Sequence, residues 1–176
     1  MTGDIRLATG LDRDEIRNVH LRAFPEPENR TVAGLAIELL GATTRPDTLG
    51  LVAEVDGLVI GHIAFSPVTA DLDEGWSGYI LAPLGVVPEY QQAGVGSSLI
   101  EAGMARLSGD GVDVVLVYGD PNYYGRFGFA AAVRFLPPYE LQYPFGWQAK
   151  QLHDDSSDNR ITRISCVAAL CDPSLW

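Results

Sequence analysis

The segment 84–99, LGVVPEYQQAGVGSSL, constrains the fold more than any other part of the chain. An apolar run typical of a strand ends at Pro88, and a loop containing Gly94 and Gly96 leads into a helical pattern. The N–H groups of a first helical turn lack intrahelical acceptors, and the helix dipole adds partial positive charge at the same end. The segment therefore predicts a backbone anion-binding site between a strand and a helix.

Two common phosphate-binding loops do not fit this segment. The dinucleotide-binding fingerprint requires a third glycine three residues after the second, and the chain has Leu99 at that position. A Walker-type loop requires lysine after its last glycine, whereas Gly96 is followed by Ser97 and Ser98. The pattern that remains is Gln-x-x-Gly-x-Gly, which starts at Gln91.

Hydrophobic periodicity predicts a mixed α/β fold, in one domain over residues 1–176, without repeats or linkers. Apolar runs bounded by turn residues predict strands at 5–8, 51–55, 58–65, 76–87, 112–118, 130–136 and 164–170. Three–four spacing of apolar residues predicts helices at 12–24, 31–40 and from residue 96 onward. Asp56-Gly57 predicts a hairpin turn, Pro83 a bulge or break in its strand, and 154–158 a polar loop.

The first predicted helix carries a start signal. Asp12 is expected as its N-cap, with Glu15 as the second member of a capping box. Leu11 and Ile16 are expected to pack together as a hydrophobic staple across the helix start.

A second motif, GDPNYYGRFGF, lies downstream at 119–129, and its Tyr124 precedes Gly128-Phe129 by four residues. Upstream, the passage PLGVVPEYQ at 83–91 leads from a strand into the glycine loop. In this order the motifs resemble the GCN5-related N-acetyltransferase (GNAT) superfamily, and the downstream one is similar to a bacterial subgroup of predicted acetyltransferases. The strong resemblance covers residues 83–129, and the order of elements from residue 4 agrees with it.

The resemblance implies a mixed central sheet in which the parallel strands 76–87 and 112–118 splay apart, with acetyl-CoA between them. It implies that the main chain of Leu84, Val86 and Val87 pairs with the pantetheine arm like an added strand. An N–H of this strand would stabilise the oxyanion formed at the thioester carbonyl. The pyrophosphate is expected at Gln91, Gln92, Ala93, Gly94, Val95, Gly96 and Ser97.

The loop departs from the family pattern in one respect. Family members often carry Arg or Lys inside it, whereas this chain has Gln91, Gln92 and Ala93 there. Backbone N–H groups alone would then bind the pyrophosphate, which predicts a lower affinity for acetyl-CoA.

The motif match gives Tyr124 the role of the family tyrosine, which protonates the departing thiolate of coenzyme A. An ordinary phenol has a pKa of about 10 and a thiol one of about 8.5, so this proton transfer requires close placement. Tyr123 is the competing candidate, at a spacing of five rather than four to Gly128. The family asparagine lies further upstream, and because this segment is shortened its role does not transfer to Asn122.

The incoming amine must lose a proton before it can act as a nucleophile. The strand 76–87 contains no carboxylate, although many family members carry one there. The remaining acids considered are Glu26, Glu28, Glu74 and Asp120. His62 lies in a predicted strand, where a histidine is more often structural, so the sequence does not identify the base.

Charge and composition narrow the range of partners. Twelve Lys and Arg against 23 Asp and Glu give a net charge of −11, which argues against a nucleic-acid partner. The same charge favours a cationic amine, or serves solubility alone. No apolar run reaches the roughly 18 residues of a membrane span, and the N-terminal MTGD lacks the features of a signal peptide. We expect a cytoplasmic protein without a membrane partner, while a homodimer remains open.

We expect no metal, because Cys166 and Cys171, five residues apart, match neither a metal spacing nor a disulfide framework. A covalent route through either cysteine is disfavoured because neither lies near the two motifs. The leading hypothesis is an N-acetyltransferase in which the primary amine of a small molecule or peptide attacks acetyl-CoA directly in a ternary complex. Longer CoA esters and hydroxyl acceptors remain open.

The alternative hypothesis is a module of the same fold that binds CoA and regulates, with weak or no transfer. The resemblance places the acceptor near the first two predicted helices and the C-terminal segment. Aromatic residues of that segment could line its pocket, or cover the core: Tyr139, Tyr143, Phe145 and Trp147.

Overall fold

A computed structural model describes residues 2–72, 74–153 and 159–176, so the polar loop predicted at 154–158 lies outside the described residues. The helices are α1 (Arg13–Ala23), α2 (Glu28–Gly41), α3 (Val95–Gly109) and the short α4 (Pro121–Tyr124). The strands are β1 (Asp4–Leu7), β2 (Leu49–Val55), β3 (Leu58–Thr69), β4 (Gly78–Val86), β5 (Val114–Tyr118), β6 (Ala130–Ala131), β7 (Phe135–Leu136), β8 (Trp147–Gln151), β9 (Thr162–Arg163) and β10 (Ser165–Cys166). Within the described ranges, no helix is long and apolar enough to cross a membrane.

The chain divides into two compact units. The first comprises residues through Phe65 together with Ala82–Met104, and the second comprises Ser66–Leu81 together with residues from Ala105 onward. In the first unit β1, β2 and β3 pair antiparallel. In the second, β4 pairs parallel with β5, and β8 pairs antiparallel with both β5 and β6. The predicted fold class, a mixed sheet flanked by helices, is confirmed, and most of the pairs are antiparallel.

Two glycines bring α3 close to β3 in the first unit. A Cβ on Gly61 would lie 3.1 Å from the side chains of Val95 and Leu99. A Cβ on Gly103 would lie 2.2 Å from the Phe65 ring, which is much shorter than a van der Waals contact between non-bonded atoms. The helix therefore packs on the strand at a separation that only glycine permits at these two positions.

The opposite face of β3 carries a buried histidine pair. His62 follows Gly61 and so points to the other side of the strand. Its Nδ1 lies 2.8 Å from Nε2 of His20 on α1, and the two residues are 1% and 0% exposed. The His20 ring also lies against β4, where a Cβ on Gly85 would be 2.6 Å from its Nδ1. The pair thus joins α1 to β3 and packs on the backbone of β4.

Asp12 is the N-cap residue of α1, as predicted, but the predicted capping box is wrong. The Asp12 carboxylate makes no cap hydrogen bond to α1 and instead accepts two hydrogen bonds from the Arg6 guanidinium, at 2.8 and 2.9 Å. This partner holds the pKa of Asp12 at about 2, below its usual value. Glu15 accepts from the N–H of Val59 on β3 at 2.9 Å, and Leu11 is 96% exposed, so the staple is absent as well. A nearby cation and a strand N–H compete successfully with the helix for these carboxylates.

The second unit differs more from the sequence prediction. The strand predicted at 130–136 is divided into β6 and β7, which lie in different sheets. The N–H of Val133 donates to the carbonyl of Ala131 at 3.0 Å and turns the chain between them. The segment predicted as a strand at 164–170 contains β10 and a single 3₁₀ turn, Ala168–Leu170. The strand β8 was not predicted at all.

The histidine pair predicts a loss of stability in mild acid. Burial lowers the pKa of His20 to about 4 and that of His62 to about 3, whereas an unfolded histidine has a pKa of about 6.5. Below pH 6.5 the unfolded chain therefore binds more protons than the folded one. The free energy of unfolding should fall as the pH is lowered from about 6.5 to 4, by at most about 1.4 kcal/mol per pH unit for each histidine. Urea unfolding at several pH values measures this slope.

The control is a variant that lacks the pair, His20→Gln/His62→Gln, in which the free energy of unfolding should lose this dependence on pH. The Asp12 carboxylate, with an unfolded pKa of about 3.9, contributes mainly below this pH window. Two imidazoles titrating near pH 6.5 by NMR, or a flat stability between pH 6.5 and 4.5, would contradict the prediction.

Candidate active site

The glycine loop lies in the first unit between β4 and α3. Directly after β4, the N–H of Val87 donates to the carbonyl of Ile60 on β3 at 2.9 Å. A single 3₁₀ turn, Pro88–Tyr90, follows. The Gln91 side-chain amide then reaches back and donates to the carbonyl of Val86 at 2.9 Å. The end of the strand and the start of the loop are therefore joined by a side-chain hydrogen bond as well as by the main chain.

The loop turns through left-handed backbone before the helix begins. Gln92 has φ 60° and Gly94 has φ 88°, and α3 starts at Val95. The N–H of Ser98 donates to the carbonyl of Gly94 at 3.0 Å, which is the first bond of the helical ladder. The three residues before Ser98 have no intrahelical acceptor for their N–H groups. The predicted strand, glycine loop and helix start are confirmed, and their geometry suits an anion.

The strand β4 presents half-buried residues immediately before this loop. Ala82, Leu84 and Val86 are half-buried and alternate with buried neighbours. Pro83 lies inside β4 and does not end the strand. The parallel register with β5 runs from Gly78–Val114 to Leu81–Val117, and β4 continues beyond it to Val86.

The tyrosine motif lies in the second unit, after β5. Tyr124 ends the four-residue helix α4, and its ring lies on Gly119, where a Cβ would be 2.5 Å from Cε2 of the ring. The rings of Tyr123 and Phe129 contact it edge-on, with centroids 5.0 and 5.8 Å away. Burial raises the pKa of the Tyr124 phenol above its usual value of about 10, so the hydroxyl stays protonated at neutral pH.

Tyr123 has different surroundings. The Arg126 guanidinium lies over its ring, 4.6 Å from the centroid, in a cation–π contact. Burial also raises the pKa of Tyr123, while the charge of Arg126 opposes that rise. Both phenols therefore stay protonated at neutral pH, and of the two rings only that of Tyr124 packs on a glycine.

The acids considered as bases are all on the surface: Glu26, Glu28, Glu74 and Asp120. The Asp120 carboxylate caps α4 by accepting the N–H of Asn122 at 2.9 Å. His62 is buried in its pair with His20, as expected for a structural histidine. Among the described residues, no group of three or more metal-ligating side chains occurs.

The cysteines are free thiols in the second unit. Burial raises the pKa of Cys166 to about 12, so its thiol is almost entirely protonated at neutral pH and is a poor nucleophile. Cys171 is exposed, and its Sγ lies 3.5 Å from the carbonyl of Cys166.

The aromatic residues considered for an acceptor pocket divide into two groups. Trp147 is 6% exposed, donates from Nε1 to the carbonyl of Phe135 at 2.6 Å and packs against Trp176. It is therefore a core residue of the second unit. Tyr143 and Phe145 are 53% and 71% exposed, with ring centroids 6.0 Å apart. Tyr139 is half-buried and, like Trp147, contacts the Trp176 ring.

A cavity of about 390 Å³ opens in the first unit beside the start of the loop. An ion pair between Arg22 of α1 and Glu89 of the 3₁₀ turn lies at its edge. Its lining is Asp14, Glu15, Asn18, Arg22, Leu58, Val59, Ile60, Val87, Glu89 and Tyr90. This cavity was not predicted from the sequence, because its lining residues come from three separate segments without a common motif.

Comparisons with known proteins identify relatives of the chain. The sequence profile of the acetyltransferase (GNAT) family matches residues 13–129. Escherichia coli K12 YjhQ, an uncharacterized N-acetyltransferase, is 39% identical over 120 residues, covering 67% of this chain and 64% of that protein. E. coli K12 YhbS, also an uncharacterized N-acetyltransferase, is 38% identical over 113 residues, covering 63% and 65%. The chain thus spans slightly less than two thirds of the length of these relatives.

Two solved structures show a similar fold. E. coli YhbS in complex with CoA superposes with a TM-score of 0.74 at 31% identity, covering 91% of this chain and 88% of that one. A GNAT family acetyltransferase from Brucella melitensis in complex with acetyl-CoA gives a TM-score of 0.71 at 34% identity, covering 94% and 96%. The resemblance drawn from the two sequence motifs is confirmed.

The packing of the Tyr124 ring on Gly119 predicts that alanine substitutions at Gly119 and Gly125 differ in their effect on stability. Gly119→Ala should lower the free energy of unfolding by about 1–3 kcal/mol, because the new Cβ overlaps the tyrosine ring. Gly125→Ala should have little effect, since no atom lies within 4 Å of its Cβ position and its backbone is helical. Urea unfolding of both variants measures the difference, and equal losses would show that the ring does not depend on Gly119.

Proposed function

Because the chain belongs to the acetyltransferase (GNAT) family, we propose that it transfers the acetyl group of acetyl-CoA to a primary amine. The observation that carries the proposal is the loop before α3. Its left-handed Gly94 and the free N–H groups of the first helical turn form a backbone cradle for an anion. Relatives of similar fold hold CoA and acetyl-CoA, whose pyrophosphate is such an anion.

The residues of the loop fit the pyrophosphate through their main chain. Gln92, Ala93 and Gly94 provide the turn, and the N–H groups of Val95, Gly96 and Ser97 provide donors along the helix dipole. The side chain of Gln91 is engaged with the Val86 carbonyl, so we assign it to shaping the loop. None of these side chains carries a positive charge.

We assign the pantetheine arm to the end of β4. Leu84 and Val86 would contribute through main-chain groups, in the manner of an added strand. Val87, predicted for the same role, would only border the arm, because its N–H donates to the Ile60 carbonyl and its carbonyl accepts from the N–H of Tyr90. The half-buried state of Leu84 and Val86 and the continuation of β4 beyond its register with β5 support this assignment.

Bound acetyl-CoA supplies an acyl thioester, at whose carbonyl carbon an N–C bond forms as the C–S bond breaks. We propose direct attack by the amine, since the Cys166 thiol is protonated at neutral pH and is a poor nucleophile. Tyr124 gives its phenolic proton to the sulfur as the bond breaks. Because burial raises the pKa of the phenol and makes it a weaker acid, this transfer requires the sulfur within hydrogen-bond distance of the hydroxyl. We propose that the proton that the amine loses passes to water, and that the Tyr124 phenolate regains a proton from solvent after the thiol leaves.

The acceptor we propose is an amine of a small molecule or peptide. The net charge of −11 favours a cationic acceptor over an anionic one. A CoA-binding module with weak or no transfer is the alternative, because the loop lacks the cation common in the family. It is distinguished by acetyl-CoA binding without thiol release for any member of an amine panel.

The loop assignment predicts a selective loss of acetyl-CoA binding. Gly94→Ala should raise the Kd by about tenfold, equivalent to about 1.4 kcal/mol, because strain at φ 88° distorts the cradle. Gly57→Ala is the matched control, since Gly57 has φ 80° and lies in the open β2–β3 turn. Both variants should lose similar stability, while calorimetry should show weaker binding only for Gly94→Ala. Equal Kd values would remove the loop from the binding site.

The acid assignment predicts a selective loss of turnover. Tyr124→Phe should lower kcat by about 10²–10⁴-fold, because the leaving thiolate loses its proton donor. The Kd for acetyl-CoA should be unchanged, and Tyr123→Phe should retain most of the activity. Thiol release with the amine that turns over fastest measures these effects. Loss of activity in Tyr123→Phe alone would transfer the role to Tyr123.

A further inference from the structure

The segment that carries Tyr124 has too little regular structure of its own to fix the position of the tyrosine. The helix α4 is only four residues long and is followed by a single 3₁₀ turn, Gly125–Phe127. Helices of this length are unstable in isolation, because nucleation fixes several residues for few hydrogen bonds. The position of the Tyr124 hydroxyl therefore depends on how the two ends of the segment 119–128 are anchored.

The near end is anchored by a buried amide on β8. Gln148 is 2% exposed, and its Nε2 donates to the carbonyls of Gly119 and Gly146, each at 3.2 Å. The Gly146 carbonyl also accepts the N–H of Gly119 at 3.0 Å. Gln148 thus donates one N–H to Gly119, on which the Tyr124 ring packs, and the other to Gly146, which is the main-chain partner of Gly119.

The far end is anchored by an ammonium on the same strand. Nζ of Lys150 donates to the carbonyl of Phe127 at 2.7 Å. The Lys150 side chain lies beneath Gly128, whose φ is 90° and whose Cβ position is 3.3 Å from Cε of the lysine. A charge-assisted hydrogen bond of this kind is stronger than a neutral one.

Residues 148 and 150 lie on the same face of β8, because side chains alternate along a strand. The strand itself is held on both sides, by β5 through Val117–Gln148 and by β6 through Ala131–Gln148. It therefore offers two donors at fixed positions, one for each end of the tyrosine segment.

We propose that Gln148 and Lys150 are positioning residues that hold the Tyr124 hydroxyl in place by bracketing the segment 119–128 from β8. The proposal rests on the proposed role of Tyr124 as proton donor. Neither side chain contacts the substrate in this role. Each acts by fixing a main-chain carbonyl next to the turn that carries the tyrosine.

The test removes each donor while keeping the size of the side chain. Gln148→Met and Lys150→Met should each lower kcat by roughly 10–100-fold, since misplacement of a catalytic group by about 1 Å has effects of this order. The KM for acetyl-CoA should be unchanged, and Lys150→Arg should restore most of the kcat. Gln151→Met is the control on the opposite face of the same strand, where Gln151 is exposed.

A merely structural role is distinguished by a double-mutant comparison. In a Tyr124→Phe background, Gln148→Met and Lys150→Met should cause no further loss of kcat. Additive losses in that background, or unchanged kcat in the single variants, would overturn the proposal. Lys150→Met also covers the case in which the buried Gln148 variant fails to fold.

Failure of the proton-donor assignment gives a different result. If Tyr124→Phe retains full activity, the proton-donor assignment is wrong. The anchoring of the segment 119–128 by Gln148 and Lys150 is then tested by hydrogen–deuterium exchange. Faster exchange confined to peptides of 119–128 in Lys150→Met supports the anchoring role, and wild-type exchange rates in that variant overturn it.

Discussion

In both units a ring lies directly against the backbone of a glycine, and the surrounding elements are arranged around that contact. In the first unit the His20 ring lies on Gly85, and in the second the Tyr124 ring lies on Gly119. Neither contact leaves room for a Cβ, so each ring can keep its position only while the residue beneath it is glycine. The first contact supports the strand assigned to the pantetheine arm, and the second supports the residue assigned to the departing thiolate.

The parts that sequence analysis predicted correctly have strong local signals. The strand–loop–helix at 84–99 and the hairpin at Asp56-Gly57 follow from turn chemistry within a few residues. The start of α1 was predicted at the right position, with Asp12 as its N-cap residue, but its capping contacts were mispredicted. The Asp12 carboxylate binds Arg6 and that of Glu15 binds the N–H of Val59 on β3, and neither contact is visible in the local capping pattern. The strand β8 was missed although Trp147 and Ala149 alternate with Gln148 and Lys150. Gln148 and Lys150 are polar residues of the kind found in surface loops, and the sequence does not show that their side chains donate to main-chain carbonyls.

Site residues follow the same division. All ten predicted cofactor-binding positions lie within the short stretch 84–97, and Tyr124 follows from the spacing of its motif. Gln148 and Lys150 have no motif, because their contribution is three hydrogen bonds to main-chain carbonyls, which every residue type carries. The alternating pattern of β8 was the one signal from which their shared face could have been inferred.

The buried histidine pair has a consequence for how the sequence can change. Each imidazole provides the hydrogen-bond partner of the other, at 2.8 Å and away from water. An apolar residue at one position leaves the other ring with an unmet polar group, which costs about 1–3 kcal/mol. Apolar residues at both positions remove that penalty, because no polar group is left to satisfy. A replacement of His20 by an apolar residue should therefore cost less stability when His62 is replaced together with it.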